Sequence, residues 1–207
     1  MIRSRVPKQG PIKGIQNRTT TSEGLFWRIL KPILIQLIGL IELITEWIVR
    51  LLGAGPLLKE AMAAADLLEG IFSINTEIWS VTSFSELARD GIARERARRL
   101  QQDTEPAWVT QKLSSSQAPI VAVSDYVRAV PESIRAFVPA PYVTLGTDGF
   151  GRSDTRASLR DFFEVDAKWI AYSALVEVYG DKKSPEEMRD IASKLELNLN
   201  KPIASSI

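Results

Sequence analysis

Between Tyr142 and Ala167 the chain reads YVTLGTDGFGRSDTRASLRDFFEVDA, and the residues best suited to chemistry crowd into its middle. Gly146, Gly149 and Gly151 alternate there with Asp148, Phe150, Arg152, Ser153 and Asp154. Glycine at such a turn lets the backbone reach positive φ or approach another surface without a Cβ in the way. Ser153 and Asp154 then offer N-cap oxygens to a helix beginning near Thr155. Two uses follow. The free N–H groups of the helix start would hold an anion, with Arg152 and Arg156 nearby. Equally, the turn would be a tight connection packed against a neighbouring domain. The spacing favours the second use, because GxxGxG is neither a Walker loop nor a dinucleotide fingerprint.

The chain has no histidine and no cysteine. That removes the usual general base of serine hydrolases, thiolate nucleophiles and the commonest zinc ligands. Catalysis would have to rest on carboxylates, lysine, tyrosine or a bound cofactor. No metal-ligand pattern appears in the sequence, and the scattered carboxylates read as solvated or capping groups.

The elements around these residues can be read from composition and period. With 207 residues, 45% hydrophobic and 25% charged, the chain resembles an ordinary soluble globular protein with length for one good core. Its net charge of +1 conceals an asymmetry: residues 1–50 carry eight Lys/Arg against three Asp/Glu, and the remainder 18 against 22. Residues 1–25, basic and rich in Gly, Pro, Ser and Thr, predict a disordered tail. Residues 26–46 predict an amphipathic hydrophobic helix whose pattern runs on to Leu52. Glu42, Glu46 and Arg50 recur every four residues as its narrow polar stripe. A charge at a bilayer centre costs about 2.5–3.5 kcal/mol, so packing on protein is preferred to lying in a membrane surface, and that to spanning.

From Gly53 onward strand and helix signals alternate. A turn at 53–56 leads to a helix over 57–69, with Leu57, Leu58, Met62, Ala65 and Leu68 on its buried face. A strand over 77–81 leads to a helix from Glu86 to about Gln101, capped by a Ser83/Glu86 box and interrupted at Gly91. Its arginines (89, 94, 96, 98, 99) alternate with acids and lack interleaved aromatics. They read as a solvated, ion-paired face and not as a nucleic-acid surface. Residues 103–117 read as a polar loop anchored only by Pro106–Trp108. Pro119–Val123 is the continuous apolar run of a buried parallel strand. Ser124 or Asp125 caps a helix to Phe137, bent or restarted at Pro131. Beyond the glycine turn come helices to Phe163, from Asp166 to about Tyr179 and from Ser184 to Leu195, then a loose tail. Strand–helix repeated four times predicts an α/β fold, a three-layer αβα sandwich with a mostly parallel sheet and an extra N-terminal hydrophobic helix.

GTDGFGRSD followed by LRDFFEVDA resembles the C-terminal domain of homodimeric pyruvate dehydrogenase E1 components, thiamine-diphosphate enzymes of the transketolase superfamily. WSVTSFSELARDG (79–91) and APIVAVSDYVRAVPESIRAFVPA (118–140) match it in the same order, and LLGAGPLLKEAMAAADLL (51–68) fits its opening strand and helix. The resemblance covers about residues 48–200. It implies a transketolase C-terminal-like domain at 47–200, after the 1–25 tail and the 26–46 helix and before a 201–207 tail. It also places a strand at Trp47–Leu52, in conflict with the helical pattern there. Its abrupt upstream end implies a truncated or frame-shifted reading of a longer gene.

In the family, thiamine diphosphate and magnesium are held by preceding domains, through a GDG motif and a downstream asparagine pair. Thr147–Gly149 only imitates that motif, no asparagine pair follows, and no cofactor site is expected in this chain. The resemblance therefore implies a cytoplasmic, structural and dimer-supporting fragment, inactive alone. Its implied partners are the remaining E1 domains or a second E1 chain and, in the parent enzyme, the dihydrolipoyl acetyltransferase complex. Asp148, Phe150, Gly151, Arg152 and Asp154 are the positions expected at the interdomain contact, with Ser153 joining them as anion candidates. Two alternatives stay open: a free-standing α/β module binding an anion or nucleotide, and a peripheral membrane or scaffold protein acting through residues 26–52.

Overall fold

The computed structural model describes residues 48–102 and 105–204, so the tail expected at 1–25 and the helix expected at 26–46 lie outside the described residues. Strand β1 (Ile48–Ala54) runs parallel to β2 (Asn75–Val81) on one side and to β3 (Ile120–Val123) on the other. β3 pairs in parallel with β4 (Tyr142–Leu145), which gives the order β2-β1-β3-β4. The helical reading carried to Leu52 is thus corrected over residues 48–52. Val49 to Gly53 are all buried, and a mostly apolar stretch without alternation fits a two-sided strand as well as a helix. The strand that the family resemblance placed there is the one present.

Two apolar layers cover the sheet. On one face Val49, Leu51, Val121 and Val123 pack against α1 (Leu58–Phe72), α6 (Ala167–Tyr179) and α7 (Pro185–Lys194). On the other, Leu52, Ile120, Ala122 and Tyr142 pack against α2 (Phe84–Arg99) and α3 (Trp108–Leu113). Two short helices, α4 (Ala129–Glu132) and α5 (Arg156–Phe162), follow β3 and β4. This is the expected three-layer αβα sandwich, with an all-parallel sheet among the described residues. Ala61, Ala64 and Ala65 of α1, with Ala171 and Ala174 of α6, belong to the first core, and such small side chains let two helices approach closely. Met62, expected on that face, is exposed instead, its place taken by Ala61 and Ala64.

Arg50 sits in the middle of β1 and is fully buried. Its guanidinium donates to the carbonyls of Leu113 (2.7 Å), Ser116 (2.9 Å) and Ala118 (2.8 Å). Burial lowers its pKa, and the charge of Glu77, its register neighbour on β2, works in the opposite sense. The segment from α3 to β3 is thereby tied to the sheet. That segment was expected to be a polar loop; residues 108–113 are instead helical, with Ala107, Val109 and Leu113 buried.

Other expectations shift in detail. α2 runs without interruption, and Gly91 is where the Phe137 ring seats: a Cβ there would lie 2.2 Å from the ring. Ser83 caps α2 by accepting from the Glu86 N–H, but the Glu86 carboxylate turns to Arg89 and does not close the box. The helix expected from Ser124 to Phe137 is broken into α4 and a 3-10 turn over Arg135–Phe137, and Ser124 accepts only from the Tyr126 N–H. Asp166 caps α6 and Ser184 caps α7, where Glu187 also closes a full capping box. Past α7, Lys201 donates to Asp161 and lies 4.3 Å from the Trp169 ring centre.

Two substitutions test this packing by urea unfolding. Replacing Arg50→Met leaves one buried and two half-buried carbonyls without their donor and is expected to cost about 3 kcal/mol. Gly91→Ala would stabilise an isolated helix by about 1 kcal/mol. Here it is expected to destabilise by about 1–2 kcal/mol, because the Phe137 ring must move.

Candidate functional site

The loops that leave β1, β3 and β4 meet at the carboxyl edge of the sheet. In open α/β sheets this edge is where ligands and partners collect, because loops there diverge to opposite faces. The β3 and β4 loops are stitched together. The Thr147 N–H donates to the Tyr126 carbonyl (2.9 Å), and the Thr147 hydroxyl donates to the Asp125 carbonyl (2.8 Å). Asp148 Oδ1 accepts from the Arg128 N–H at 2.8 Å. Gly146 allows this closeness: a Cβ there would stand 2.6 Å from the Arg128 nitrogen and 2.7 Å from the Tyr126 carbonyl oxygen. Gly149, with φ of 104°, then turns the chain outward.

Phe150 follows, and 82% of its surface is exposed. Tyr126 and Val127, on the loop stitched to it, are exposed as well. Two neighbouring loops thus display three large apolar side chains, a concentration that marks a contact surface more often than a solvated one. Sequence reading did not single out Tyr126 and Val127, which fell within the helix expected up to Phe137.

The remaining expected residues hold the loop. Arg152 lies over the Phe162 ring, 4.2 Å from its centre. Gly151 and Ser153 are exposed, and nothing lies within 4 Å of a Cβ built on Gly151. Asp154 Oδ1 accepts from the Thr155 N–H (2.7 Å), and the cap of α5 is Thr155, whose hydroxyl accepts from the Ser158 N–H (3.2 Å). The cap therefore falls one residue beyond the expected Ser153–Asp154 pair. Two N–H groups that an anion would need are already bound by the chain's own oxygens, one of them a carboxylate.

Beside the loop an open cleft of about 520 Å³ is floored by Leu57, Leu159, Phe163 and Val165 and rimmed by Asp125, Arg152 and Arg156. Its wall is fixed by Glu60 of α1, which pairs with Arg160 and accepts from the Ala167 N–H (3.0 Å) at the start of α6. Among the described residues no His, Cys, Asp and Glu group could hold a metal ion, and no helix is long and apolar enough to cross a membrane.

The profile of the transketolase-like TK C-terminal domain family matches residues 44–166. The chain is 43% identical over 162 residues to the pyruvate dehydrogenase E1 component of Cupriavidus necator, covering 77% of this chain and 18% of that one. It is 48% identical over 130 residues to the E1 component of Pseudomonas aeruginosa, covering 61% and 15% respectively. Against that of Escherichia coli K12 it is 44% identical over 133 residues, covering 63% and 15%. The chain thus spans less than a fifth of the length of these relatives.

The stitching is testable by exchange and stability. Asp148→Ala should cost about 1 kcal/mol and accelerate hydrogen exchange at the Arg128 and Thr147 amides, which Asp148→Asn, keeping an acceptor, should largely prevent.

Proposed function

From the premise that the chain belongs to the transketolase-like TK C-terminal domain family, we infer that it is the C-terminal domain of a pyruvate dehydrogenase E1 component. In this reading it is a structural, non-catalytic piece of the thiamine-diphosphate-dependent decarboxylase. It docks on the remaining E1 domains through its carboxyl-edge loops and supports the dimer. Thiamine diphosphate and magnesium belong to those other domains, and the acetyltransferase core of the complex is a partner of the whole assembly. A cytoplasmic setting is part of the same proposal.

The observation that carries this reading is the exposed apolar group of Tyr126, Val127 and Phe150 on two cross-bonded loops. The polar groups around it support the same use. Asp148, Asp154, Thr147 and Thr155 are spent on shaping the loops. With no histidine in the chain, a proton shuttle of the common kind is missing. The cofactor supplies the difficult chemistry of such enzymes, so a domain outside its binding site contributes shape and contact.

An anion- or nucleotide-binding role is less well supported, since the Thr155 and Ser158 amides are already bound by Asp154 and Thr155. A membrane role through residues 26–52 loses its last turn, because residues 48–52 lie within β1.

Calorimetric titration of the full chain with thiamine diphosphate and magnesium is expected to give no heat. Measurable binding would overturn the assignment of the cofactor to the other domains. With a purified relative E1 lacking its own C-terminal domain, the chain is expected to associate, and Phe150→Ser to weaken that association at least about tenfold. Its melting temperature should not change, because Phe150 lies outside the core.

A further inference from the structure

Helix α2 carries five arginines against three acids, in a body whose residues 51–207 carry 18 Lys/Arg against 22 Asp/Glu. The ion-paired reading of these arginines holds for two of them. Arg89 pairs with Glu86, and Arg94 with Asp90 and Glu105. Among the described residues Arg96, Arg98 and Arg99 enter no ion pair, although Glu95 lies one turn before Arg99. The helix dipole accounts for cations in a last turn. It does not account for the side they occupy.

Ser85, Arg89, Ile92, Arg96 and Arg99 succeed one another at intervals of four and three residues, which lines them up along one side of α2. Ile92 stands in the middle of this line and is 58% exposed. Beside it α2 and α4 border an open groove of about 460 Å³, lined by Ala88, Ile92, Ala129 and Val130, with Arg89 also contributing. The acid of α4 does not answer these arginines, because Glu132 accepts from Arg135 (3.0 Å) and Thr144 (2.8 Å). An apolar groove with uncompensated cations along it thus lies on the outside of the α2 layer.

We propose that this face docks an acidic amphipathic helix of a separate protein, laid along α2 over the roughly 21 Å from Ser85 to Arg99. An aliphatic side chain of that helix enters the groove against Ala88, Ile92 and Val130. Carboxylates three or four residues to either side of it meet Arg89 and Arg96, and one further along meets Arg99. The spacing sets this chemistry: Ile92 lies three residues after Arg89 and four before Arg96, the separations at which side chains of any helix share a face. Guanidinium–carboxylate contacts add direction to the pairing. Charge decides against other occupants. A second copy would set arginine against arginine, and the first fifty residues of the chain, with eight Lys/Arg against three acids, hold no surplus of the acid this face calls for. The groove uses none of Tyr126, Val127 and Phe150, so it stands apart from the docking inferred above.

The probe is a fluorescein-labelled synthetic helix of Leu, Ala and Glu, with Leu at four-and-three spacing flanked by Glu. A twin peptide carries Gln for every Glu. Fluorescence anisotropy with the full chain is expected to show binding of the acidic peptide that weakens as salt rises, and no binding of the twin. Arg96→Gln combined with Arg99→Gln should weaken binding at least about tenfold, and Ile92→Ser at least about fivefold. Arg98→Gln, a cation on another side of α2, should change it less than about twofold. All four positions are exposed, so the melting temperature should hold. Absence of binding would overturn the proposal. So would binding that ignores Ile92→Ser or falls as far with Arg98→Gln, since either reduces the contact to net charge. Tighter binding of single-stranded RNA or of phosphatidylserine vesicles, with the same dependence on Arg96 and Arg99, would overturn it in favour of a nucleic-acid or membrane surface.

Discussion

Strand β1 is hydrogen-bonded along both edges and covered on both faces, and nearly everything else follows from that enclosure. Its pairing with β2 and β3 sets the strand order and brings the carboxyl ends of β1, β3 and β4 to a common edge. Arg50 is the price of admission for a charge in that strand. Removing a charge from water costs several kcal/mol, and here three carbonyls of the 113–118 segment receive its donors in compensation. The same contacts fasten the α3 layer to the sheet, so a residue with no place at the edge loops still determines where β3 begins.

Polar residues at the carboxyl edge serve geometry. Asp148 receives a neighbouring loop's amide, Thr147 donates twice to that loop, and Asp154 and Thr155 open α5. Among what they leave facing solvent are three large apolar side chains, Tyr126, Val127 and Phe150. That division suits the docking role proposed for this edge, in a domain whose relatives are several times longer than this chain.

Much of the fold was legible because several elements carry self-contained signals. β3 is a run of four fully buried apolar residues, and α6 and α7 begin at Asp166 and Ser184, whose caps need no distant partner. Illegible features depended on contacts far along the chain. The sequence WVTQKL of α3 has only two buried residues of its own, and the guanidinium that secures the segment after it comes from more than sixty positions earlier. The break in the 124–137 region reflects Tyr142, whose hydroxyl donates to the Pro131 carbonyl, and Arg135, which donates to the Tyr142 carbonyl. For β1 the period itself misled, since a strand buried on both faces has no alternation to display. At the candidate site the glycine turn announced itself, whereas Tyr126 and Val127 did not: an apolar pair gives no sign of whether it points in or out.

The close backbone contact at Gly146 carries one more consequence. Because the loops bearing Tyr126 and Phe150 are joined by three hydrogen bonds and touch main chain to main chain, they behave as one rigid body. A partner that captures Phe150 finds Tyr126 and Val127 already in place, so little conformational freedom remains to be lost on contact. Such a preorganised surface is the kind whose complexes gain their lifetime from slow separation more than from fast encounter.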